Sequence, residues 1–311
     1  MARQEPQTLE PATWALSLHP WETTQGIVVG LVGPPPGLTA LCGRDEGGAR
    51  LTRSQVRAMT GTVHVCWSPL NADASPNDWL DETERGRFKG LRQVQDRSAF
   101  VTSRMLLKIL VGLLADTPRD LVRLSYHCPR CGRSHGRPVV VAPHGAVGWQ
   151  VSLSHTGRHV MVAATDAGPV GVDVERTAAT GFEGFDSVAL TYAERTEVER
   201  CAPAARARAR AVYWARKEAV LKATGHGLAV NPAAVEVSAP HLSAALMAWH
   251  AGETPPPQVQ ISDIPVDDDH VAAVAVLAPT PCEVDLQPVP GYPICSAEEW
   301  RLPVDGAGER R

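Results

Sequence analysis

The chain has 311 residues, a formal net charge of −4, 44% apolar residues and 21% charged ones. This describes a globular protein with material for one large or two modest cores, and it excludes a strongly basic nucleic-acid binder. Seven scattered cysteines, an odd number, argue against a secreted disulfide framework and for a reducing compartment.

Residues 1–60 hold Pro34–Pro35–Pro36, several glycines and no sustained period. They read as a weakly ordered N-terminal extension, with Met59 as an alternative start. The apolar run Gly26–Gly33 is too short to span a bilayer and has no basic segment close before it, so neither a membrane span nor a signal peptide is expected, and the cytoplasm is the expected location. A strand signal begins at Thr62. Ser75–Pro76 then marks a helix start, with a polar helix over about 77–92 and an apolar one over about 97–115. Strands are expected near 122–127, 149–154, 159–165 and 170–175, the later ones separated by Thr156–Gly157 and by the 166–169 turn.

The second half repeats this order. Thr191 with Glu194 is a capping box opening a helix to about Arg200. Pro203 opens a long helix that Gly225 ends. Strands follow near 233–238, 245–250, 257–262 and 270–277. The fold class expected is α+β, with two similar subdomains over 61–167 and 168–280, each an antiparallel sheet with packed helices, and a tail over 281–311.

Two segments carry chemistry. In Gly171–Val172–Asp173–Val174–Glu175, strand alternation puts both carboxylates on one face. In the helix Trp214–Lys222, residues Trp214, Glu218 and Lys222 fall at i, i+4 and i+8 and share one face. Taken singly, the first reads as a solvated strand face and the second as an ordinary surface pair. Packed together, three carboxylates and an ammonium converge. Three hard oxygen ligands with positions left open for phosphate oxygens describe a Mg²⁺ site for phosphoryl-type chemistry.

The two segments, with Gly225–His226–Gly227–Leu228 after them, resemble the 4'-phosphopantetheinyl transferases of the Sfp type. Ser152–Leu153–Ser154–His155–Thr156–Gly157 and Gly136–Arg137–Pro138 extend the resemblance, which covers about residues 61–280. It implies a pseudo-twofold arrangement of the subdomains, with the active site in the cleft between them. It implies transfer of phosphopantetheine from coenzyme A to a serine of an apo acyl, peptidyl or aryl carrier protein, releasing adenosine 3',5'-bisphosphate. Asp173, Glu175 and Glu218 would ligate Mg²⁺, Glu218 would be the general base, and Lys222 would hold a phosphate oxygen. Ser154, His155 and Arg137 would bind the nucleotide of coenzyme A.

The basic residues Arg85, Arg87, Lys89, Arg92 and Arg97 precede the apolar helix; the family often has an arginine where this chain has Ala99, for which Arg97 or Arg104 can substitute. With two halves in one chain, a monomer is expected, without nucleic-acid or membrane partners. The carrier would dock around 182–205, using Arg195, Arg200, Arg206, Arg208 or Arg210. A different class of reading is a non-catalytic adaptor binding coenzyme A or a carrier. A third is a zinc-knuckle module: Cys128–Pro129–Arg130–Cys131 with His127 and His135 supplies half of one, and the second half is absent.

Overall fold

A computed structural model describes residues 61–286, apart from 72–73, 129–130, 134–135, 158 and 253. The expected extension over 1–60, most of the expected tail and His135 lie outside the described residues. In chain order the elements are β1 (Gly61–Pro69), α1 (Pro76–Trp79), α2 (Glu82–Gly90), α3 (Val94–Leu114), β2 (Arg123–Ser125), β3 (Val139–Ala142), β4 (Gln150–Thr156), β5 (His159–Thr165) and β6 (Val170–Arg176). They continue with α4 (Phe185–Ala189), α5 (Tyr192–Arg200), α6 (Arg206–Thr224), β7 (Val235–Val237), β8 (Leu246–Trp249), β9 (Val259–Ile264), β10 (His270–Leu277) and β11 (Cys282–Leu286). This is the mixed α+β architecture expected.

The layering follows from the two-residue period of strands. Val63, Val65 and Trp67 of β1 and Met161 and Ala163 of β5 point one way. There they meet Val170, Val172 and Val174 of β6 and Ala272, Val274 and Val276 of β10 in one buried core between two sheets. The opposite face of β5, with Val160, Val162 and Ala164, packs on Met105, Leu106, Leu107 and Leu110 of α3. The opposite face of β10, with Val271, Ala273 and Ala275, packs on Ala215, Ala219, Val220 and Ala223 of α6. The order of layers is helix, sheet, sheet, helix.

The first sheet runs β11-β1-β5-β4 and the second β6-β10-β9. A strand, its meander partner and the next meander strand thus recur in the same spatial order in both halves. A local device recurs too. Asp81 and Glu84 form a capping box on α2, and Thr191 and Glu194 form one on α5. Glu84 pairs with Lys108 of α3 at 2.7 Å, and Glu194 pairs with Lys217 of α6; all four side chains are buried. Each lysine also donates to a backbone carbonyl, Trp79 or Ala189.

Several expectations change. β11 pairs parallel with β1, Gly61 opposite Cys282 through Val65 opposite Leu286. The first sheet is therefore not purely antiparallel, and the chain returns to the first half at residues read as tail. Val284 and Leu286 pack on the inter-sheet core, which the tail's Pro and Gly content concealed. The polar helix over 77–92 is broken at Leu80, because the Asp81 side chain accepts the Glu84 N–H and restarts the helix as α2. Neither β3 nor α4 was anticipated; both are short, and Val139 and Val141 of β3 are exposed. No helix among the described residues is long and apolar enough to cross a membrane.

Candidate active site

The site is built where β6 lies against α6. Gly171 makes the approach possible: a Cβ there would stand 2.0 Å from the Ala219 carbonyl oxygen and 2.4 Å from the Ala223 nitrogen. Two residues further along the same face is Asp173, and two further Glu175. The alternation that turns Val172 and Val174 into the core turns both carboxylates toward the helix.

Asp173 is 2% exposed. Its Oδ1 accepts from Lys222 Nζ at 2.6 Å and from Ser154 Oγ at 2.7 Å. Lys222 also donates to the Val172 carbonyl at 3.1 Å. Glu175 Oε1 accepts from Trp214 Nε1 at 3.1 Å. Trp214 is itself braced edge-on by Phe185. Asp173 Oδ2 and Glu218 Oε1 are buried without a hydrogen-bond partner.

Crowding carboxylates together has electrostatic consequences. Burial, and then the Asp173 charge, push the Glu218 carboxyl up to about 7, with Lys222 opposing. Burial and Asp173 likewise raise Glu175 to about 8, against the pull of Lys222 and the Trp214 hydrogen bond. For Lys222, desolvation works against the charge, but Asp173, Glu218 and Glu175 outweigh it and its pKa rises. A cation that stays charged next to carboxylates that do not readily ionise is an arrangement short of positive charge.

The first half contributes through β4. Ser152 and Ser154 are on one face of the strand, turned toward β6. Ser152 Oγ accepts the Val172 N–H at 3.0 Å, while Ser154 holds Asp173. The Ser154 hydroxyl is thus engaged with a carboxylate of the site. His155, on the other face, is exposed but crowded; desolvation lowers its pKa, and Lys222 adds to this. Arg137 is exposed and donates from Nη2 to Gln150 Oε1 at 2.8 Å. Its Nη1 would lie 3.8 Å from a Cβ on Gly225, so it stands at the C-terminal end of α6, where the helix dipole favours a cation.

Sequence reasoning left Arg97 and Arg104 as alternatives. Arg97 is tied to the Leu91 carbonyl at 2.8 Å on the surface. Arg104 is 5% exposed, stacked 3.7 Å over Phe100, and its Nε is buried without a hydrogen-bond partner. It also contributes to lowering the His155 pKa. Arg104 is thus the guanidinium with unused hydrogen-bonding capacity near His155. Arg87, beside it over Tyr126, has a buried Nη1 without a partner. The role of Ser152 in pinning β6 was missed; the alternation in Ser152–Leu153–Ser154 was the available signal.

Two neighbours of Glu218 do structural work. Lys217 points the other way, into the Glu194 capping box, and donates to the Pro232 carbonyl as well. Arg216 is fully buried and binds Asp263 through both nitrogens at 2.9 and 2.6 Å, and the Ser238, Ala239 and Leu242 carbonyls. Cys128 is buried and Cys131 exposed on a turn that Gly132 closes, its N–H donating to the Cys128 carbonyl. They form no metal-ligand cluster among the described residues. A cavity of about 500 Å³ at the end of α3, lined by Ile109, Gly112, Leu113 and Asp116 among others, includes none of the site residues.

Residues 169–275 match the family model of the 4'-phosphopantetheinyl transferase superfamily. Over this segment the chain is similar to that superfamily. The segment contains Asp173, Glu175, Glu218 and Lys222, and leaves Arg104, Arg137, Ser154 and His155 outside. The superfamily consists of transferases that use coenzyme A as the phosphopantetheine donor and, in general, a divalent metal. No curated protein matches the chain.

Proposed function

We propose that this protein is a phosphopantetheinyl transferase of the Sfp type, moving the phosphopantetheine arm of coenzyme A to a serine of an apo carrier protein, with Mg²⁺. The observation that supports this most is the pair of unused buried carboxylate oxygens, Asp173 Oδ2 and Glu218 Oε1, in a cluster with more acid than base. The donor set is all oxygen, which fits a hard divalent ion. Asp173, Glu175 and Glu218 would hold it. Among the described residues the three do not lie close enough together to form a closed group of ligand atoms, and Lys222 and Ser154 occupy Asp173 Oδ1 while Trp214 occupies one oxygen of Glu175. That leaves room for diphosphate oxygens to complete the set. When bound, the ion supplies positive charge that offsets the charge growing on the leaving group.

The chain's own residues do the rest. The carrier serine oxygen attacks the phosphorus attached to pantetheine, and the bond from that phosphorus to the bridging oxygen breaks. Glu218, with a carboxyl near 7, takes the serine proton; its value suits a base working close to neutral pH. Lys222 stays charged beside the diphosphate and steadies the departing adenosine 3',5'-bisphosphate. Arg104, His155 and Arg137 bind the nucleotide phosphates, and Ser154 serves mainly to fix Asp173.

The carrier docks on the surface around 182–205. Most arginines there are engaged within the fold. Arg210 holds Asp186 at 2.6 and 2.7 Å, Arg206 and Arg208 bind backbone carbonyls, and Arg200 pairs with Glu197. What is offered outward is apolar: Phe182, Val188 and Tyr192, the last 80% exposed and flanked by Arg195. We read the protein as a cytoplasmic monomer with a pseudo-twofold core, the latter supported by the matching strand order and the doubled capping-box pair. Incubation with coenzyme A, Mg²⁺ and a panel of apo carriers tests the activity. A carrier mass gain of one phosphopantetheinyl group is expected. No gain with any carrier, together with retained binding of coenzyme A, would leave an adaptor.

A further inference from the structure

At one end of the core between the sheets, on the side of β10 turned away from α6, three polar side chains interrupt the apolar layer. His159 opens β5, His270 opens β10, and Asp267 lies in the β9–β10 turn. Both histidines have the strand parity of the inter-sheet face. One ligand atom from each of the three residues lies within 4.8 Å of the other two, and among the described residues this is the group so arranged. The imidazoles meet edge to face with centroids 4.8 Å apart, and Trp67 stacks on His159 at 4.4 Å.

The hydrogen bonding has an unfilled centre. Asp267 Oδ1 takes His270 Nδ1 at 2.6 Å. His270 Nε2 and His159 Nδ1 are both buried with no hydrogen-bond partner, and the His270 side chain is 7% exposed. Two orphaned imidazole nitrogens in one buried cluster are costly for a fold that gains nothing from them. A carboxylate on the far nitrogen of a histidine is the arrangement that orients an imidazole toward a metal. Desolvation, and then His270, hold His159 down at about 4, so its ring is neutral and its lone pair available. Arg176 opposes a cation here, and Asp267 offsets it.

We propose that His159 and His270 bind a borderline divalent cation of the zinc class, with Asp267 orienting the His270 ring and water completing the shell, and that this ion straps the two sheets together. Two imidazoles suit such an ion and do not suit Mg²⁺, which takes oxygen ligands. The site is separate from the carboxylates on β6 and α6, and its role is structural.

The test uses the full chain, stripped with a chelator and titrated with Zn²⁺. One equivalent should be retained and the melting temperature should rise with Zn²⁺ concentration. His159→Ala and His270→Gln should abolish both effects. Asp267→Asn should weaken binding ~10–100-fold, as loss of an orienting carboxylate does. Asp173→Ala and Cys131→Ser should leave them unchanged. Should the histidine variants fail to fold, crystals of the unaltered protein soaked in Zn²⁺ decide the matter by anomalous scattering. A peak bonded to both imidazoles is required. Zn²⁺ binding that survives the histidine changes, or no peak between the two rings, overturns the proposal.

Discussion

Glu218 and Lys217 are adjacent, both long and ionisable, and opposite in use. Glu218 keeps a buried oxygen free beside Asp173; Lys217 is spent inside the fold on Glu194. Alternation on β6 and the i, i+4 spacing on α6 made the meeting of Asp173, Glu175, Glu218 and Lys222 legible in the sequence. The burial of Lys217 and Arg216 was not legible, because their partners Glu194 and Asp263 are remote in the chain and no local period points at them. Arg104 is buried as well, but its stacking on Phe100 is an i, i+4 contact within α3 that local spacing does offer. The proposed base is tested by Glu218→Gln, which keeps shape and removes the proton acceptor. Turnover should fall by about 10²–10⁴-fold, the usual contribution of a positioned base. Binding of coenzyme A should change little. Retained turnover in steady-state assays with a carrier would remove Glu218 from that role.

At the scale of elements, the contact of β6 with α6 sets the site, and Gly171 sets the contact. Gly171→Ala puts a methyl group into the backbone of α6 at Ala219 and Ala223, where nothing flexible can yield. The strand must move away. We expect a loss of about 1–3 kcal/mol in urea unfolding, as for other overpacked positions. Transfer should fall further than stability alone explains, because Asp173 moves with the strand away from Lys222. The capping-box pairs make a second test. Lys217→Met leaves the Glu194 carboxylate buried without its cation, a change that costs about 3–5 kcal/mol. Adding Glu194→Gln should recover part of that loss. An uncoupled, additive result in the double-mutant cycle would mean that the pair does not act as a unit. These helices were largely readable from the chain, since Thr191 with Glu194 and the Gly225 stop are local signals. The break at Asp81 was readable in principle, by the same capping rule, but an expected continuous helix masked it.

For the molecule as a whole, the sheet order is closed by the last described strand. β11 covers the outer edge of β1 and adds Val284 and Leu286, half-buried, to the inter-sheet core. Its parallel pairing joins residues at the two ends of the described chain, which no local pattern announces. Truncation after residue 281 exposes that edge and removes roughly half the burial of two large aliphatic side chains, so a loss of about 2–3 kcal/mol is expected in equilibrium unfolding. A truncated protein of unchanged stability would show β11 to be an accessory.

The pH dependence of stability follows from the same crowded acids. Glu218 and Glu175 have ordinary values of 4.5 and are raised to about 7 and about 8 in the fold. Between 4.5 and those values the folded protein holds protons that the unfolded chain has released. Folded binds more, unfolded binds fewer, so stability contributed by these groups falls as pH rises through that window. Chelator-treated protein should therefore melt lower at pH 8 than at pH 6. Glu218→Gln, which cannot ionise, should flatten that slope. Added Mg²⁺ should raise the melting temperature more at pH 8 than at pH 6, because a bound cation needs the carboxylates that low pH protonates. A Mg²⁺ effect of equal size at both pH values would mean that the ion binds where no raised carboxyl has to give up its proton.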